Sequence, residues 1–223
     1  MQDPDLIRIL TFHGLGTPSR PLPAGEDHYW LEGSIYEAIL DLVKNRPDVL
    51  ITFDDSNVSD FVIALPALLA RQMTATFFVV SERINQPGFL TTAQILEMAQ
   101  AGMSIGSHGT QHRPWATLGP KDLHDELTTS RKVLEDLLGR PIREAACPFG
   151  SYNRRVLHAL RVAGYERVYT SDQGPAHRHE WLSARNTVTR PQPLQYARAA
   201  LGPPVSGLPA ALRSVKLMLK RWR

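Results

Sequence analysis

The feature that most constrains this chain is a repeated alternation of short apolar runs with helical patterns. Ile7–Phe12 is β-branched and apolar and stops at His13-Gly14. After a loop rich in Pro and Gly, Ile35, Ile39, Leu40 and Val43 recur at helical spacing, and Pro47-Asp48 ends the pattern. Val49–Phe53 reads as the next strand and runs straight into Asp54-Asp55. A helix over 61–71 must then accommodate Pro66, and a strand follows over 75–80. Thr92 caps a helix to Ala101, and 103–106 is a short strand. A long helix from Pro120 or Lys121 to Leu138 is stopped by Gly139, and 144–147 is a strand. Asn153 caps a helix to Ala163, and 167–170 is a further strand.

Such alternation specifies a parallel sheet with helical crossovers. An open doubly wound sheet and a closed barrel both satisfy it. The polar residues separate the two: His13, Asp54-Asp55, His108, Pro148-Phe149-Gly150 and Asp172 each follow the C-terminal end of a different strand. In a barrel those ends converge on one rim, and that rim hosts catalysis. The expected fold is α/β: a distorted, incomplete (β/α) barrel of about seven strands. The body spans 1–207, and 208–223 is a basic C-terminal helix or tail.

Hydrophobic residues make up 43% and charged residues 21%, a balance that supports one domain with its own core and excludes a disordered chain. The net charge is +3, and from Leu212 onward Arg213, Lys216, Lys220, Arg221 and Arg223 stand without an acid. The body is therefore close to neutral, and no nucleic-acid footprint is expected. The tail reads as a solvated helix whose Leu212, Val215, Leu217, Leu219 and Trp222 partly pack on the barrel. A peripheral contact with anionic lipid is the alternative. The single cysteine, Cys147, cannot form an intrachain disulfide, and with no local base it reads as a small hydrophobe. Met1–Asp5 is acidic and lacks a signal-peptide pattern, and no apolar run is long enough to span a membrane. The expectation is a cytoplasmic protein, at most peripheral to the membrane.

Thr52-Phe53-Asp54-Asp55 places adjacent carboxylates at a strand end, where one can bind a metal while the other faces water. Taken alone, Asp-Asp-Ser-Asn is also good turn chemistry. His108 and His112, four apart, are expected on one side of a helical turn, gripping one ion; alone, two exposed loop histidines would look the same. Joined by a strand-end carboxylate they form a mixed nitrogen and oxygen set, suited to zinc or to cobalt, nickel or manganese. Open coordination positions would hold water and substrate, and the metal would lower the water's pKa.

From about Val49 to Asp172 these motifs resemble the polysaccharide deacetylases, carbohydrate esterase family 4. The family's Thr-Phe-Asp-Asp-Gly is Thr52-Phe53-Asp54-Asp55 here, with Ser56 for Gly, and its His-Ser/Thr-x-x-His is His108-Gly109-Thr110-Gln111-His112. Ala75–Val79 and Gly106-Ser107-His108 match the intervening strands, and Leu10–Gly14 resembles the opening of exopolysaccharide-linked members. The resemblance implies a metal-dependent hydrolase that removes acetyl groups from an N-acetylated or O-acetylated sugar or polysaccharide precursor. It makes Asp54 the base, puts Asp55, His108 and His112 on the metal, and offers the Phe149 N–H to the oxyanion.

The family's third motif, Arg-x-Pro-Tyr/Phe-Gly, reads Ala146-Cys147-Pro148-Phe149-Gly150. Ala146 thus replaces an arginine that would help to hold Asp54 ionised. Pro148, Phe149, Asp172 and Trp181 are the expected substrate contacts. The family's last motif supplies a histidine as general acid, but no histidine follows His179, and Leu182–Val188 carries a basic residue instead. That resembles a branch lacking the usual histidine. The proton donor is then His177 or His179, or it is absent, and His13 reads as a structural hydrogen-bond partner. The alternatives are a non-catalytic metal-containing carbohydrate-binding protein, a same-fold amidohydrolase acting on another carbon–nitrogen bond, and a partner in a polysaccharide-synthesis assembly.

Overall fold

The computed structural model describes residues 3–203, 215 and 217–222. The expected domain boundary at residue 207 lies outside them. The strands are β1 (Leu6–Phe12), β2 (Gly14–Leu15), β3 (Trp30–Leu31), β4 (Val49–Phe53), β5 (Thr76–Val79), β6 (Ser104–Ser107), β7 (Glu144–Ala146), β8 (Arg167–Thr170), β9 (Ala176–His177), β10 (Leu182–Ala184) and β11 (Asn186–Thr187). The helices are α1 (Gly33–Val43), α2 (Leu65–Leu69), α3 (Thr92–Gln100), α4 (Pro120–Leu138), α5 (Arg154–Val162) and α6 (Pro193–Ala200).

The main sheet runs β10-β8-β7-β6-β5-β4-β1-β11, with β9 added to β1. Every pairing along that path is parallel, and only β9 lies antiparallel. Its two edge strands are separated in sequence by Arg185 alone. β10 pairs with β8, and β11 pairs with β1 through Leu10 and Thr11. One strand, bent at Arg185, therefore brings the sheet round on itself. The result is a nearly closed, distorted barrel of about seven staves, as the alternation predicted.

Period-two alternation divides the side chains between two cores. Leu10, Phe12, Ile51, Phe53 and Phe77 belong to the larger core, which also holds the buried faces of the helices. Ile7, Ile9, Phe78, Ala146 and Tyr169 form a smaller cluster inside the barrel.

Local signals account for most helix ends. α3 is capped by Thr91, one residue before the expected Thr92, through a reciprocal capping box with Gln94. α4 starts at Pro120 and stops at Gly139, which is left-handed. The helix expected over 61–71 is instead a π turn, Asp60–Ala64, running into the short α2. Pro66 sits in the first turn of α2, where its missing N–H is harmless. The two-residue strands β2, β3, β9 and β11 are too short to produce a periodic signal.

Of the tail residues expected to pack on the barrel, Leu217 is half-buried and the others described are not. Residues 215 and 217–222 are helical, but Val215, Leu219 and Trp222 are 51–71% exposed, and Lys220 meets the barrel. Leu212 lies outside the described residues.

Candidate active site

Along β4, Leu50, Thr52 and the following Asp54 face the barrel interior. Asp54 is 3% exposed and receives both prongs of Arg185: Nη1 donates to Oδ1 at 2.7 Å and Nη2 to Oδ2 at 2.6 Å. Arg185 Nη1 also donates to Thr52 Oγ1 at 3.3 Å. The guanidinium lies 5.2 Å from the Phe78 ring centroid and 5.8 Å from that of Tyr169. Aromatic faces and a forked carboxylate thus replace the water that a buried cation gives up. Burial pushes the Asp54 carboxyl up, but Arg185 and then His108 outweigh it and hold Asp54 below the ordinary carboxylate range. The charge that Ala146 lacks therefore arrives from the bend between β10 and β11.

Asp55 and Ser56 are both left-handed, with φ of 78° and 63°. That backbone turns the Asp55 side chain away from the strand, and it explains why the resembling family carries Gly where Ser56 stands. Ser56 is held there because its Oγ accepts the Val80 N–H at 2.8 Å and its carbonyl accepts the Leu90 N–H at 2.9 Å. Asp55 Oδ1 lies 2.9 Å from His112 Nε2, 3.8 Å from His108 Nε2 and 3.2 Å from Arg83 Nη1. Burial opposes ionisation of Asp55, but the neighbouring His112 and the other imidazoles hold its carboxyl well below the usual range.

His108 follows β6 and is 2% exposed. Its Nδ1 donates to the Ala146 carbonyl at 2.9 Å, which leaves Nε2 bare toward the two carboxylates. Burial pushes the His108 pKa down to about 4, so the ring is neutral at physiological pH, the state a metal requires. His108 and His112 do not share a helical turn, contrary to expectation. They flank an irregular loop in which Gly109 and His112 have φ of 81° and 58°. Glu126 of α4 shapes this loop, accepting the Thr110 and Gln111 N–H groups at 3.0 Å each. A Cβ on Gly109 would lie 2.5 Å from Glu126 Oε2 and would sit on a left-handed backbone, so glycine holds this loop with least strain.

One ligand atom each from Asp55, His108 and His112 falls within a 4.8 Å cluster. Asp55 Oδ1 is buried, and despite the approach of His112 no donor is well aligned to it. A neutral imidazole, an ionised carboxylate and an unsatisfied buried oxygen fit a divalent cation.

These residues floor a cavity of about 660 Å³ whose walls include His13, Tyr29, Arg83 and Phe149. His13 Nδ1 is shut off from solvent and has no partner, so the structural role expected of His13 is not seen on that side of the ring. Phe149 is left-handed at φ 56° and 68% exposed, with its ring 4.5 Å from that of His112.

Other expected contacts are not brought to the cavity. Pro148 is buried and outside the lining. Asp172 is taken up by the Tyr152 hydroxyl at 2.6 Å, the Thr170 hydroxyl at 2.8 Å and Lys220 Nζ at 2.7 Å. Trp181 precedes β10 at the far end of the barrel, its indole N–H on the Tyr165 carbonyl and its ring 3.9 Å from the Arg161 guanidinium. His177 lies opposite Leu6, at the start of β1, and 3.7 Å from the Asp3 carboxylate. His179 is exposed in the adjoining turn. β9 runs antiparallel to β1 and carries both histidines to the end opposite the Asp55, His108 and His112 cluster. Arg185, Arg83 and Glu126 were not anticipated in these roles; the available signal for Arg185 was a lone cation inside an otherwise neutral strand segment.

Barrel and site together define a (β/α) barrel with a carboxylate–histidine–histidine cluster at its catalytic rim. The sequence profile of the polysaccharide deacetylases matches residues 42–168. YxkH of Bacillus subtilis (strain 168), a protein named for the polysaccharide deacetylases, is 30% identical over 201 residues, 84% of this chain and 72% of YxkH. The chain belongs to the polysaccharide deacetylase family, whose activity is the hydrolytic deacetylation of carbohydrate. Its fold is similar to that of the Streptococcus pyogenes deacetylase PplD, solved in complex with acetate, at TM-score 0.77 and 21% identity, covering 90% of this chain and all of PplD (100%). IcaB from Ammonifex degensii superposes at TM-score 0.72 and 20% identity, covering 89% of this chain and 98% of IcaB.

Proposed function

We propose that this chain hydrolyses the acetyl group of an N-acetylated or O-acetylated sugar or polysaccharide precursor. Asp55, His108 and His112 hold the divalent ion, zinc before cobalt, nickel or manganese. The observation that carries the reading is Asp54, a buried carboxylate held ionised by Arg185 beside a buried cluster of metal-ligating atoms. An ion bound there supplies Lewis acidity, acidifying water and polarising a carbonyl.

Asp54 takes the proton of the attacking water. Arg185 keeps that carboxylate charged and in one orientation, so little reorganisation is needed at the moment of transfer. The Phe149 N–H is offered to the oxyanion, and the exposed Phe149 ring gives the sugar an apolar face. His13 passes a proton to the departing amine or alcohol: of the two cavity-lining imidazoles outside the ligand set, His13 and His28, it is the one whose charge acts on both Asp54 and Asp55. The acetate complex of the similar PplD supports acetate as the product.

Acetate release from a panel of acetylated saccharides, with and without added zinc or cobalt, tests this. Wild type is expected to show metal-dependent release, and Asp54→Asn to lose about 10²–10⁴ of the rate. A protein that binds stoichiometric metal yet releases acetate from no substrate would overturn the reading in favour of a carbohydrate-binding protein or a hydrolase of another carbon–nitrogen bond.

A further inference from the structure

The helix at residues 215 and 217–222 half-buries Leu217 but leaves most of its apolar side chains exposed. Val215, Met218, Leu219 and Trp222 are 51%, 53%, 51% and 71% exposed. Their spacing, i, i+3, i+4 and i+7, places them in one stripe along the helix. A helix docked on a domain ordinarily turns such a stripe inward. Here the inward side carries half-buried Leu217 and Lys220, whose Nζ sits 2.7 Å from Asp172 Oδ1 and 4.1 Å from the Tyr152 ring centroid. Docking through a cation leaves the whole apolar stripe facing outward.

The position of the dock matters as much. Asp172 follows β8, and Tyr152 follows the Pro148–Gly150 turn after β7, so both stand at the C-terminal rim that carries Asp55, His108 and His112. Phe149, 68% exposed on the cavity wall, is three positions before Tyr152. Four of the large apolar side chains most open to solvent thus lie on one helix attached beside the cavity mouth. The surrounding sequence is cationic: from Leu212 onward there are five basic residues and no acid. Arg154 adds a guanidinium 6.0 Å from the Trp222 ring.

We infer that this helix is an interfacial anchor that lays the catalytic rim against an anionic lipid surface. Leucine, methionine and valine enter the acyl boundary, tryptophan suits the headgroup level, and the cations meet lipid phosphate. A second copy of the chain fits less well, because a twofold contact would set the same basic segment against itself. The contact is peripheral, since no helix among the described residues is long and apolar enough to cross a membrane. It does not rest on the chemistry proposed for the cavity.

The test is sedimentation of the full chain with vesicles of phosphatidylcholine alone or mixed with phosphatidylglycerol, at low and high salt. Wild type is expected to bind the anionic vesicles at least about tenfold more tightly than the neutral ones, and to release them as salt rises. The double variant Leu219→Asp, Trp222→Asp should lose at least about tenfold of that binding while its circular dichroism and acetate release from a soluble sugar are unchanged. A Trp222→Phe variant should abolish the lipid-induced blue shift in fluorescence, assigning it among the chain's four tryptophans. Equal binding to neutral vesicles, unimpaired binding by the double variant, or lipid-free dimerisation lost in that variant would each overturn the inference.

Discussion

The two ends of the barrel treat charge in opposite ways. At the C-terminal end, Asp54, Asp55, His108 and Arg185 are each no more than 7% exposed. At the other end, Arg143–Glu166, Arg46–Asp48 and Asp3–His177 have side chains 38–59% exposed. Strain divides the same way. Asp55, Ser56, His112, Phe149 and Gln173, five of the seven non-glycine residues with positive φ among the described residues, belong to the C-terminal rim. One end holds its charges dry and fixed in orientation, which catalysis needs, and it depends on every partner being present. The other leaves these ion pairs to water, and no single partner in them matters much.

The largest difference should appear on breaking one ion pair at each end. Arg185→Met leaves Asp54 buried without its counter-charge, a loss of about 3–5 kcal/mol by urea denaturation. Arg143→Met should leave the midpoint where it was. The Asp54 carboxyl is held down in the folded state, so its contribution is present above the unfolded carboxylate value of about 3.9 and is lost as pH falls below it. Arg185→Met should flatten that acid limb of the stability curve, while Arg143→Met retains it. Similar losses in both variants would erase the contrast.

Metal provides the next contrast. Zinc at about a hundred times its dissociation constant should stabilise the fold by about 2.7 kcal/mol, seen as a rise in Tm that a chelator reverses. His112→Ala should abolish that rise and His177→Ala should keep it. A metal response that survives in His112→Ala would place the ion elsewhere.

The two candidate proton donors sharpen the comparison at the level of rate. His13→Ala should lower kcat for acetate release by about 10²-fold or more, and His177→Ala should leave it unchanged. The reverse result would return the acid to the far end of the barrel.

The smallest effect concerns Cys147, 1% exposed, whose thiol burial pushes up to about 12. Alkylation by iodoacetamide at pH 8 should be slow in the native protein and prompt after denaturation. Fast native labelling would mean that the rim opens more readily than its packing implies.

Legibility in the sequence followed the range of each interaction. The Asp54-Asp55 pair and the His108/His112 spacing are local, and the structure brings Asp55, His108 and His112 together as their resemblance implied. The helical turn expected between the histidines failed because Gly109 and Glu126 impose an irregular loop, and Glu126 lies 16 positions from Thr110. His177 and His179 were candidates only by order along the chain. β9 turns back along the start of β1, a two-residue pairing that no periodicity announces.

By itself the sequence determined the strand–helix alternation, the rim on which polar residues gather and the carboxylate and two imidazoles that cluster there. Periodicity and short motifs are set by neighbours within a few positions of one another. The tertiary structure alone decided that Arg185 serves Asp54 across 131 positions of chain, that His13 rather than His177 overlooks the cluster, and that the tail helix turns its apolar stripe outward. Each of those depends on how the bent strand brings the barrel round and on which buried charge is left needing a partner, and neither is encoded in any one segment.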